Sequence, residues 1–134
     1  MNKKLPEDIT RALDLLKFSE SSDTHQTKIK FFKEGIDILN ECLEKVPQYK
    51  QLLKNHKLSY TRSLITNLSN TKPAIIFDDW LEYVFIFCIN VKEEIIQILK
   101  ADPKVRIYFI DFLALWAEKI PSELKESFSE FIEL

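Results

Sequence analysis

Glycine occurs once in 134 residues, and that scarcity excludes a good deal of chemistry. Loops that wrap a phosphate need several glycines, because the backbone must approach the ligand through torsions that a Cβ forbids. A single glycine therefore argues against nucleotide-binding loops and against the strained turn of a serine nucleophile. Histidine and cysteine each occur only twice, as His25, His56, Cys42 and Cys88, and none of them stands at metal-ligand spacing. The expectation is a protein with no catalytic residues, no metal and no cofactor.

Long apolar runs are missing too. The longest, "VFIFCI" at 84–89, falls far short of the roughly 20 residues a membrane-spanning helix needs. The start, "MNKKLPEDI", turns acidic before any apolar stretch develops, which predicts no signal peptide. Two isolated cysteines in apolar helical stretches behave as small hydrophobes and do not form a secreted disulfide framework. A reducing, cytoplasmic location follows as the expectation.

There is no excess of positive charge. With a formal net charge of −2 and a pI near 5.7, the chain lacks the concentrated basic surface that nucleic-acid binding requires. The sign is nevertheless unevenly spread. Residues 1–70 carry 12 Lys+Arg and 9 Asp+Glu, whereas residues 71–134 carry 7 and 12. Either the halves attract each other or a basic face awaits an acidic partner.

What is present is helical periodicity. The length suits one domain spanning 1–134, and an apolar share of 46% with 30% charged residues of both signs argues against disorder. Pro6, Glu7 and Asp8 predict a helix start, continued to about residue 19 by Ile9, Ala12, Leu13 and Leu16. "ESSDT" at 20–24 breaks the pattern and offers Ser and Asp as caps for the next helix. That helix, about 24–45, has two apolar seams. One runs through Ile29, Phe32, Ile36, Leu39, Leu43 and Val46, and the other through Phe31, Gly35, Ile38 and Cys42. Two seams require neighbours on two sides. Gly35 then has a packing reason: without a side chain it admits a neighbouring backbone, which offsets a helix-propensity cost of about 1 kcal/mol.

A third helix, about 48–68, places Tyr49, Leu53, Tyr60 and Leu64 on one face and Leu58 and Ile65 on another. "SNTKP" at 69–73 is the expected boundary between subunits 1–69 and 74–134. A fourth helix of about 77–100, kinked near Asn90, a fifth of about 104–119 and a sixth opening at Pro121–Ser122 complete the chain. On the sixth, Leu124, Phe128, Phe131 and Ile132 form one stripe. The predicted fold class is all-α, a compact bundle of about six helices with one three-helix unit packed on another. Trp80, Tyr83, Phe85, Phe87, Tyr108, Phe109, Phe112 and Trp116 read as core aromatics, with a ligand pocket between the last three helices as the alternative. The acid pairs Asp78–Asp79 and Glu93–Glu94 read as a helix opening and a solvated edge.

"ALDLL", a short polar break, "IKFFKEGIDIL" and a third helix containing "YTRSLITNL" resemble the microtubule-interacting and transport (MIT) domain, a three-helix bundle. The resemblance covers about residues 6–68. The family's second helix carries a Leu-Tyr pair followed three residues later by a small residue and an isoleucine. Here Phe31–Phe32, Gly35 and Ile36 stand at those places. Lys28 stands where the family usually has alanine, the break before the second helix has no glycine, and Tyr60 and Arg62 are one residue closer than the family's tyrosine and arginine. The general pattern also suits tetratricopeptide-like helical hairpins. The resemblance implies an adaptor that docks a short, often helical peptide of a protein partner between its helices. Ile38, Cys42, Leu58 and Ile65 are the apolar positions that a three-helix core accounts for least, so they are the expected partner-binding residues. Ile38 and Ile65 are expected to be partly exposed. A structural subunit or homo-oligomer, its apolar surface permanently covered by another chain, is the alternative.

Overall fold

The computed structural model describes residues 6–69, 77–114 and 117–134, and every regular element among them is helical. The chain forms two compact units, Met1–Tyr60 and Thr61–Leu134. The division falls within a helix, ahead of the polar stretch expected to mark it; residues 70–73 of that stretch lie outside the described residues.

The first unit is built on a hairpin of α1 (Glu7–Ser21) and α2 (His25–Lys45). α1 opens behind Pro6, whose carbonyl accepts from the Thr10 N–H at 3.1 Å, with Glu7 and Asp8 in the positive first turn. The serines expected to cap α2 close α1 instead. The Ser21 and Ser22 hydroxyls both donate to the Phe18 carbonyl, at 3.2 and 2.6 Å. Thr24 caps α2, its hydroxyl accepting the Thr27 N–H at 3.3 Å. Three residues, 22–24, thus end one helix and start the next, which makes the pair antiparallel.

The hairpin closes around Gly35. A Cβ there would lie 2.9 Å from Leu16 Cγ and 3.0 Å from the Ala12 carbonyl oxygen. The sequence-based reading holds: α1 is the neighbour whose backbone comes close. Ile9, Ala12 and Leu16 of α1 and Ile29, Phe32, Ile36 and Leu39 of α2 are buried. A one-turn helix, Pro47–Tyr49, leads into α3 (Lys50–Ser69). α3 buries Leu53 and Leu64 on one predicted face and Ile65 on the other.

In the second unit the predicted helix of 77–100 is two helices. α4 (Phe77–Phe85) runs into a π-helical segment, Ile86–Asn90, where the Val91 N–H reaches back five residues to the Ile86 carbonyl at 3.2 Å. Val91, at φ −135° and ψ 25°, ends the helical path, and α5 (Lys92–Ala101) restarts it with Glu93 and Glu94 in its first turn. The kink expected near Asn90 is this break. Asp102 opens α6 (Pro103–Ala114), its Oδ1 accepting the backbone N–H groups of Lys104 and Val105 at 3.2 and 3.3 Å. The predicted helix to 119 is described as far as Ala114; residues 115–116 lie outside the described residues, and a separate turn spans Ala117–Lys119. Another turn, Ser122–Leu124, precedes α7 (Lys125–Ile132).

A chain of rings forms the core of this unit. Tyr83 stacks on Phe87 at 5.9 Å, Phe87 meets Phe109 edge-on at 5.4 Å, and Phe109 meets Phe131 at 6.0 Å. These pairs join α4, the π segment, α6 and α7, each stabilising by about 0.5–1.5 kcal/mol beyond its burial. A Lys92–Glu130 ion pair at 3.0 Å ties α5 to α7 at the surface.

Candidate interaction surface

The four expected partner-binding residues do not form one open face. Ile38 and Leu58 are half-buried, but Cys42 is only 4% exposed and Ile65 is completely buried. Ile65 also belongs to the second unit, whereas the other three belong to the first. The expectation that Ile65 is partly exposed is therefore corrected: it is core, and a carboxylate placed there would be buried without a partner. Burial also raises the Cys42 thiol above its ordinary pKa, reinforced by Asp8 and Glu41, so it is an uncharged filler of the α2 seam.

The first unit leaves one edge of the α1–α2 hairpin open. Phe18 is 56% exposed, yet its ring lies 5.9 Å from that of the half-buried Phe31 across the hairpin. Leu15, one turn before Phe18, and Ile38, two turns after Phe31, continue the edge and are half-buried. Arg11 and Glu34 lie exposed beside it and give the ledge a charged border. Phe31 and Ile38 belong to the predicted second seam, but Leu15 and Phe18 were missed. The signal was available: once Ile9, Ala12 and Leu16 are assigned to the core, Leu15 and Phe18 remain as an apolar i, i+3 pair on another face.

Beneath the ledge the hairpin is held by a reciprocal clasp. The Ser19 hydroxyl donates to the Lys28 carbonyl at 2.7 Å, and Lys28 Nζ donates to the Ser19 carbonyl at 3.1 Å and the Glu20 carbonyl at 3.4 Å. Lys28, only 7% exposed, thus sets its cation on the negative end of α1. Desolvation lowers the Lys28 pKa, opposed by the charges of Glu20 and Asp23.

The residues considered for chemistry have structural places. Asp78 and Asp79 sit in the first turn of α4, and His56 stacks on Tyr60 with ring centroids 6.2 Å apart. Among the described residues no group of three His, Cys, Asp or Glu side chains could hold a metal ion, and no helix is long and apolar enough to cross a membrane. Trp80, Tyr83, Phe87 and Phe109 are buried and Phe85 and Phe112 half-buried, but Tyr108, expected in the core, is 56% exposed. Trp116 lies outside the described residues.

The sequence matches no protein-family model, and neither a curated protein nor a solved structure is significantly similar to it.

Proposed function

We propose that the protein is a non-enzymatic interaction module of the cytoplasm, holding an apolar peptide or helix of a partner protein on the α1–α2 ledge. The observation that carries this reading is the Phe18–Phe31 pair, an aromatic contact in which Phe18 stands 56% exposed beside the half-buried Phe31. Aromatic side chains with Leu and Ile neighbours and a charged rim have the composition of a binding hot spot. The resemblance of residues 6–68 to the MIT domain, whose members dock helical peptides, supports the same class of activity. The ledge replaces the Ile38, Cys42, Leu58 and Ile65 groove, keeping only Ile38 as an anchor.

Affinity capture from the native host, with variants compared side by side, tests the proposal. Phe18→Asp and Ile38→Asp are expected to lower stability by no more than about 1–2 kcal/mol and to leave the protein folded, since Phe18 is exposed and Ile38 only half-buried. Each should weaken binding of the captured protein by about 2 kcal/mol or more. Ile65→Asp, buried, should unfold the domain. A partner retained equally by the wild type and both ledge variants would sink the ledge as its docking site.

A further inference from the structure

The second unit exposes a different apolar face, on α6, and it has a pattern of its own. Phe109 and Leu113 are buried, while Pro103, Lys104, Ile107, Tyr108, Asp111 and Ala114 form one exposed stripe on the opposite side of the helix. Ile107 is 60% and Tyr108 56% exposed, at the middle of the stripe. A helix apolar on both sides needs something on both sides. On the inner side of α6 that need is met by the ring chain through Phe109.

The order of residues along the stripe says what the outer side fits. Lys104 and Asp111 stand seven residues apart, two turns along the helix, with Ile107 and Tyr108 between them. Neither charge has an ion-pair partner among the described residues; Lys104 is engaged only through its backbone N–H. The pattern is cation, apolar, apolar, anion, and it is complementary to itself when reversed. We propose that α6 packs antiparallel on α6 of a second copy of this chain, about a two-fold axis passing between Ile107 and Tyr108. Each Lys104 then meets the second copy's Asp111, and each Ile107 meets the second copy's Tyr108. An isologous contact requires this self-complementarity, whereas a foreign partner would not. A single helix pair buries less than the about 800 Å² per partner of a standard interface, so association is weak and reversible. The inference does not rest on the α1–α2 ledge.

Analytical ultracentrifugation of the full chain, from about 10 µM to about 1 mM, reads the association directly. The wild type is expected to pass from monomer to dimer across that range. Ile107→Asp should remain monomeric with an unchanged melting curve. Lys104→Asp and Asp111→Lys should each weaken dimerisation about tenfold or more, because each homodimer then sets like charges opposite one another. Mixed in equal amounts, these two variants should dimerise again, since one brings two anions and the other two cations to the same pair of contacts. The double variant, with both charges reversed, should dimerise as the wild type does. A wild type that stays monomeric throughout, an Ile107→Asp protein that still dimerises, or a mixture no better than its components would overturn the proposal.

Discussion

A methyl group at position 35 has no room. Its closest neighbours would be Leu16 Cγ at 2.9 Å, which can rotate, and the Ala12 carbonyl oxygen at 3.0 Å, which cannot move without α1. Gly35→Ala gains about 1 kcal/mol of helix propensity but must push the hairpin apart, at a cost of about 1–3 kcal/mol. Gly35→Leu, with more bulk and no larger propensity gain, should be clearly destabilising and lower the urea midpoint. An unchanged midpoint for the leucine variant would mean that the hairpin opens freely, contrary to the packing described. Gly35 was legible in the sequence because its rarity and its place on a seam pointed to the same cause. Thr61 was not. Its side chain is fully buried and its hydroxyl has no hydrogen-bond partner among the described residues. Nothing in "YTRSL" distinguishes a threonine bonded to its helix from one that is not. Thr61→Val keeps the shape and removes an unsatisfied hydroxyl, so a gain of about 1 kcal/mol is expected by chemical denaturation. A loss would show that the hydroxyl does have a partner.

Among whole elements, the helices with strong periodicity and local stop signals were legible, ends included, whereas the interruption of the fourth was legible only as a kink. α2 and α3 start and stop within two residues of expectation, because Thr24, Pro47 and the apolar seams are all local signals. The π segment left no such signal. "YVFIFCIN" is apolar on every side, so an extra residue inserted into the helix changes no visible pattern. Lys28 misled in a different way. In sequence it is a charge where the MIT resemblance implies an alanine; in the structure its stem crosses the hairpin and its ammonium donates to the Ser19 and Glu20 carbonyls at the negative end of α1. Lys28→Met keeps the length and removes the donor. It should cost about 1–2 kcal/mol, because two carbonyls lose a charged partner and the helix end loses a compensating charge. Hydrogen exchange would place the effect: amides in the last turn of α1 should lose protection before those around Gly35. Equal loss throughout the hairpin would mean that the clasp does not act locally.

At the scale of the whole molecule, the all-α class followed from periodicity, whereas the interaction surface depended on burial, which one sequence does not report. Ile65 and Ile38 look alike along the chain; one is core and the other half-open. The same burial sets how stability changes with pH. Desolvation raises the Cys88 thiol from 9.0 to about 11, with Lys92 opposing and Glu130 adding to the shift, and it raises Tyr83, Tyr60 and Cys42 as well. Each of these groups holds its proton in the folded protein at a pH where the unfolded chain has released it. Their contribution is complete below the unfolded values and is lost as pH rises through the folded ones. Lys28, lowered by burial, works in the opposite sense: the unfolded chain binds the extra proton, and the cost of burying the ammonium is relieved as pH rises towards 10.5. Four groups against one predict that stability falls steadily above about pH 9. Cys88 alone accounts for on the order of 2 kcal/mol of that fall by about pH 11. Urea midpoints at about pH 8 and about pH 11 should therefore separate more in the wild type than in Cys88→Ala, even though the variant starts lower because of its cavity. Should both proteins lose the same stability over that interval, the thiol would have to be ionisable in place, and Cys88 could not lie in the dry interior formed by the π segment and its neighbours.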